Sequence, residues 1–138
     1  MSLLKNLDIA ASALKAQSVR LNTVASNMAN MQSVASSADE AYRAQMPVFK
    51  TVLDDSNPLL PAAGVQVSEI RQSKAPPFME YQPNHPLANE DGYIFKPNIS
   101  LPEQMADMID ASQNYASNVD VIKTSRELML KTLQLGRN

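Results

Sequence analysis

The residues of this chain that could do chemistry are few and scattered. His85 is the single histidine. It stands between Asn84 and Pro86, two residues typical of turns. The absence of cysteine removes thiolate nucleophiles, disulfides and the softest metal ligands. A transition-metal site would have to be assembled from carboxylates. The acids that stand together, Asp54-Asp55 and Glu90-Asp91, lie in loop-like sequence and lack the acidic spacing and glycine of a calcium loop. The glycines, Gly64, Gly92 and Gly136, are too far apart to form a phosphate cradle, and no G-x-S-x-G occurs. Asn98-Ile99-Ser100 fits a glycosylation pattern, but Ser100 has a better use as a helix cap. With no nucleophile–base pair in view, a hydrolase has no support. No catalytic residue, metal or cofactor is expected, and His85 reads as an exposed turn residue.

Charge does not point to a polyanionic partner. There are 12 basic and 14 acidic residues, for a net charge of −2, and no basic cluster that would hold nucleic acid or a lipid surface. The 138 residues suffice for one domain with a modest core. The apolar share of 44% is ordinary, but aromatics make up only 5% and eight Met take their place, which favours helices with adaptable contacts over a deep aromatic core. No run approaches the roughly 18 apolar residues of a membrane span, so membrane insertion is not expected. The first residues lack the basic, apolar and small-residue regions of a cleaved secretory signal, so export by that route is not expected either.

What is left is architecture. All nine prolines lie between Pro47 and Pro102. Proline breaks helices, so the chain reads as helix, non-helical middle, helix. In the first segment Leu4, Leu7, Ala11, Leu14, Ser18, Leu21, Ala25 and Met28 follow a 3–4 spacing and predict a seam. Lys5, Asp8, Ser12, Lys15, Arg20 and Asn27 fall opposite, and the helix is expected to end near Asn30. The last segment opens with Ser100 as N-cap, Pro102 in the first turn and Glu103 placed to complete a capping box. Leu101, Met105, Met108, Ser112, Tyr115, Val119, Ile122, Arg126, Met129 and Leu133 continue the 3–4 spacing. Gly136 predicts the stop, with Lys131 and Arg137 at the negative end of the dipole. The polar breaks Ser18, Ser112 and Arg126 are expected to fix register at some cost in stability.

The middle alternates between turn signals and short strand patterns. Residues 44–52 predict a strand confined to an edge by Pro47, and residues 64–70 predict a half-buried strand. Residues 78–81 and 92–95 predict two shorter ones, with turns at 54–58 and 83–86. The fold class is thus mainly α: long N- and C-terminal helices in an antiparallel coiled-coil-like pair, with a small, irregular, hairpin-containing β region between them. Its units are a helix at 1–33, a β/loop region at 34–100 and a helix at 101–138 that forms one helical core with the first. Both helices also carry apolar residues beyond the seam: Ile9, Val19 and Val24 in the first, Ile109, Val121 and Leu128 in the second. A pair buries one face of each, so the surplus favours a subunit of an assembly over a monomeric hairpin. It also leads us to expect that the free subunit has incompletely ordered ends.

Three stretches resemble the flagellar axial family of rod, hook and filament proteins, most closely its proximal rod members. Residues Leu21 to Asn30, reading L-N-T-V-A-S-N-M-A-N with Ser33 beyond, are similar to the family's S-N-L-A-N motif, with Met28 where Leu is usual. Tyr81 to Ala88 and then Gly92 to Ile99 are similar to its P-x-x-P-x-A…G-Y-V…P-N-V segment. Tyr115 to Val121, then Met129 to Leu133 and Gly136, are similar to its Y-x-x-N-V…K-T-L…G ending. The resemblance runs over nearly the whole chain in the right order, and is weakest over 32–74. It implies a structural subunit of the bacterial flagellar basal body, in the periplasm-spanning rod that transmits torque around an export channel. It implies copies of itself and other rod proteins as partners (proximal rod, distal rod and rod base), and passage through the flagellar type III export apparatus. The assembly interface is then expected along Leu4, Leu7, Leu14, Leu21, Asn27, Met28 and Asn30 of the first helix, and Met108, Tyr115, Val119, Ile122, Met129 and Leu133 of the second. Without the resemblance, the residues also allow a soluble coiled-coil adaptor or a type III-secreted structural protein outside any rod.

Overall fold

Proline placement divides the chain as expected. The computed structural model describes residues 3–53 and 62–136. Helix α1 runs Leu3–Asn30 and helix α2 runs Leu101–Leu135. Between them lie β1 (Gln45–Leu53), β2 (Ala62–Gln72), β3 (Phe78–Tyr81) and β4 (Tyr93–Lys96). The fold is mainly helical, with two hairpins in the middle.

The two helices pack antiparallel. Leu3 and Leu4 meet Met129 and Leu133 at one end, and Asn27 meets Gln104 at the other. At 1.5 Å per residue α1 is about 40 Å long and α2 about 50 Å. The end of α1 is closed locally: Asn30 Nδ2 donates to the Ser26 carbonyl, and both Ser33 N–H and Ser33 Oγ donate to the Asn30 carbonyl. The Asn/Ser cluster thus makes the expected bend. The ends of α2 differ from the sequence reading. Ser100 stands at the N-cap in extended conformation, but its side chain makes no capping bond, so no capping box forms with Glu103. Pro102 and the extended backbone before it suffice to start the helix. Gly136 stops the helix in right-handed geometry (φ −78°), so its left-handed freedom is unused. Lys131 precedes the last turn, which holds no base, and Arg137 lies outside the described residues.

In the first hairpin β1 pairs antiparallel with β2, Gln45 opposite Gln72 and Val52 opposite Gly64, with register shifts after Val48 and after Val52. β1 has the expected length, shifted by one residue, while β2 is longer than the alternation indicates; the tip, including Asp54-Asp55, lies outside the described residues. Pro47 sits in a two-stranded sheet where every strand has a free edge, which is where its missing N–H is tolerated. In the second hairpin Phe78 pairs with Lys96 and Tyr81 with Tyr93. Its outer side is tied to the bend after α1 by mutual bonds between Ala35 and Phe95, at 2.9 and 3.0 Å.

Among the described residues the buried ones are few and mostly small: Ala10, Ala16, Val24, Ala41, Ile94 and Ala111, with Thr23, Asn27 and Ser125, and Gly92 and Pro97. This corrects the predicted seam. Of its two rows, Leu7, Leu14, Leu21 and Met28 are half-buried, while Leu4, Ala11, Ser18 and Ala25 face solvent. On α2, Met108, Val119, Ile122 and Met129 are half-buried, while Leu101, Met105, Ser112, Tyr115, Arg126 and Leu133 are exposed. The second row is one residue away, at Gln104, Ala111, Asn118 and Ser125. Close approach of two backbones selects small residues at the line of contact, and the larger apolar ones are displaced to the flanks. The predicted polar breaks Ser18, Ser112 and Arg126 are all exposed, so they do not set the register.

Candidate assembly surface

Register is set by polar residues that the periodicity assigns to the outer face. Asn27 is 1% exposed, and its amide makes four hydrogen bonds. Nδ2 donates to the Gln45 carbonyl and to Gln104 Oε1, each at 2.9 Å. Oδ1 accepts from Gln45 N–H at 2.8 Å and from the Tyr42 hydroxyl at 3.0 Å. The side chain therefore acts as a strand partner for the first residue of β1 while bridging to the first turn of α2. One buried group joins α1, the first hairpin and α2, with its hydrogen-bonding capacity filled.

About two turns back along α1, Arg20 forks across the helix pair, with Nη2 on Asp107 at 2.8 Å and Nη1 on Asp110 at 2.7 Å. Partial burial works against the guanidinium charge, but the hydrogen bonds and charges of Asp107 and Asp110 outweigh it and hold its pKa above the usual value. Two bonds from one planar group fix a distance and an angle between the helices.

A second joint holds the first hairpin on α1. Ser12 Oγ donates to the Ile9 carbonyl at 2.7 Å and accepts from Val65 N–H at 3.1 Å. Beside it, a Cβ on Gly64 would stand 2.6 Å from Ser12 Oγ, at a backbone φ of +153°. Glycine is required there by close approach. Ala16, Val19, Val52, Val65 and Val67 line the same junction. Val24 is buried, and Ile9 and Val19 are half-buried, so the surplus apolar surface expected on α1 is covered within the chain.

On α2 the surplus stays open. Ile109 is 65% exposed, and Met105, Val121, Leu128, Leu130 and Leu135 are also exposed. The second hairpin adds Phe78, Met79 and Tyr81. Its shape is held by Asn89, whose Oδ1 accepts from Asp91 and Tyr93 N–H, by Gly92 at φ +80°, and by the edge-on Tyr81–Tyr93 pair at 5.2 Å. His85 is half-buried rather than exposed, and its Nδ1 accepts Leu87 N–H inside the predicted turn. Among the described residues no three acids or histidines cluster to hold a metal, and no helix is long and apolar enough to cross a membrane. The arrangement leaves apolar side chains of α2 and of the second hairpin open.

Comparison with known sequences agrees with that chemistry. The family described as flagella basal body rod protein matches residues 7–45, and the one described as flagellar basal body rod FlgEFG protein C-terminal matches residues 90–135. Over 99% of this chain and the full length of the relative, the sequence is 45% identical to flagellar basal-body rod protein FlgC of Yersinia enterocolitica. The chain belongs to the FlgC family of flagellar basal-body rod proteins. The FlgC of Salmonella typhimurium is 42% identical over the same share of this chain and its own full length. That of Aquifex aeolicus is 38% identical over 97% of both chains. The protein is a structural subunit of the flagellar basal-body rod.

The two matched segments contain the two sides of the joint just described: Arg20 and Asn27 in the first, Gln104, Asp107 and Asp110 in the second. Of the interface residues named from sequence, Asn27 is the hub of the chain's own fold and Asn30 caps its own helix. Leu7, Leu14, Leu21, Met28, Met108, Val119, Ile122 and Met129 are half-buried within the subunit, while Leu4, Tyr115 and Leu133 are exposed. The sequence reading missed Arg20, Ser12, Gln104, Asp107 and Asp110. The acids at 107 and 110 lie one turn apart, and a single arginine near the middle of α1 was the available signal.

Proposed function

We propose that the chain is a proximal-rod subunit whose helix pair acts as one rigid unit in the inner tube around the export channel. It passes torque between neighbours and catalyses nothing. The observation that supports this reading is the contrast between a register held by buried polar bonds and an apolar flank of α2 left open. Torque requires that helices not slide, and Arg20 and Asn27 oppose sliding. Assembly requires uncovered apolar surface, and Met105, Ile109 and Leu128 supply it. Other rod proteins and further copies would cover that flank. The chain would reach the rod unfolded, through the flagellar type III apparatus, with both terminal helices gaining full order on assembly.

The test separates folding from assembly. In a strain lacking its own copy, the wild-type chain should appear in purified basal bodies and support swimming. Ile109→Asp should leave the purified subunit's helix content intact yet abolish rod extension and motility. Swimming by the Asp variant would exclude the open flank as an assembly surface.

A further inference from the structure

The two ends of the helix pair carry unlike surfaces. Between the first hairpin and the start of α2 lies a groove lined by Met46, Phe49, Ala75 and Ile99, with Glu103 on its α2 side and Asp107 there paired to Arg20 of α1. Near the other end, α2 exposes Val121, Leu128 and Leu135. Seven-residue spacing puts these three on one face of the helix, and Lys131 falls between the last two. Charge follows the same division. Residues 101–120 hold Glu103, Asp107, Asp110 and Asp120 and no base, whereas residues 121–135 hold Lys123, Arg126 and Lys131 against Glu127. The helix dipole does not account for this, because it acts within the terminal turns. Only Glu103 lies in the first turn, and no base lies in the last. Among the described residues, neither Glu103 nor Lys131 takes part in an ion pair.

Groove and tail sit toward opposite ends of one straight helix, so they cannot meet within a chain. We propose that the C-terminal part of α2 of one copy seats in the groove of a second copy. Leu128 and Leu135 would lie against Met46, Phe49 and Ile99, and Lys131 beside Glu103. The proposal rests on the rod reading above and names the partner of its surface. The contact is heterologous: each copy offers one groove and one tail, so association propagates instead of closing at a dimer. Apolar burial drives the contact, and the charge pair selects its direction.

The chain has no cysteine, so introduced thiols report unambiguously. Ala75→Cys in the groove and Leu128→Cys on the tail should, in oxidised basal bodies, join copies of this chain into dimers and higher multiples. Either substitution alone should leave monomers. A second pair of variants needs no cross-link. Glu103→Lys and Lys131→Glu should each cause loss of swimming, and the two together in one chain should restore it. A chain present in basal bodies but never cross-linked to itself overturns the proposal and leaves the rod reading intact, as does full swimming by either single charge variant. Absence of the wild-type chain from basal bodies would instead sink the rod reading.

Discussion

Helices α1 and α2 have similar patterns but different fates. Helix α1 has five fully buried residues in 28, set between α2 on one side and the first hairpin on the other. Helix α2 has two in 35, Ala111 and Ser125, and meets the rest of the chain along one line. The middle region explains the difference. The first hairpin folds back on α1 through Ser12, Gly64 and the valines beside them, and leaves the far side of α2 bare. An apolar residue on α1 thus completes the subunit, while one on the flank of α2 is available to neighbours. Two helices of comparable composition differ because a hairpin reaches only one of them.

That contrast can be broken at its strongest point first. Asn27→Ala strips four bonds from a buried site and leaves Gln45 and Gln104 without partners, which should cost about 3 kcal/mol in denaturant unfolding. A loss below about 1 kcal/mol would mean that α1 is not the anchored helix. On α2 two neighbouring positions should behave oppositely. Ala111→Leu pushes a branched side chain into the contact line and should cost about 2 kcal/mol. Ile109→Ser, two residues before it, should stay within about 0.5 kcal/mol of wild type. Equal losses at the two sites would erase the distinction between seam and flank.

The hairpin's hold on α1 is the next test. Gly64→Ala should cost about 1–2 kcal/mol, part from crowding Ser12 and part from backbone strain. In a double-mutant cycle with Ser12→Ala the combined loss should fall below the sum, since the crowding is shared. Strict additivity would mean that the hairpin does not lean on α1 there.

The smallest effect lies in the second hairpin, away from both helices. Glu80 is held below the ordinary carboxylate range by hydrogen bonds from Lys96 and then Gln82. A lowered folded-state pKa stabilises at pH above the ordinary value, and that contribution is lost as pH falls through the lowered one. Lys96→Met should return the Glu80 titration, followed by NMR, toward its ordinary position. Because Glu80 is exposed and Lys96 only half-buried, the consequence for stability should be slight.

Much of this was legible without coordinates. Proline confinement to the middle located both helices, and alternation of Val, Gln and Ile located β2. The contacts that join these elements were not legible. Arg20 and Ser12 stand among polar residues on the face opposite the periodic apolar stripe, and such positions read as solvent; Asn27 shares that face and stood out only through the family resemblance. Their partners are distant in sequence: Asp107, Gln104 and Val65. A polar side chain in a helix does not announce whether it will meet water or an acceptor some 80 residues away.

Local chemistry in the sequence therefore determined where helices begin and end and where strands alternate. Those properties depend on φ restriction, hydrogen-bond supply and side-chain period, which act between near neighbours. Tertiary structure alone decided which face of each helix turns inward. A hydropathy period ranks residues by aversion to water and favours Leu, Met and Val for the seam. Two helices in close contact select by size, and only their mutual approach places Ala111 and Ser125 inside and leaves Ile109 and Leu128 facing out.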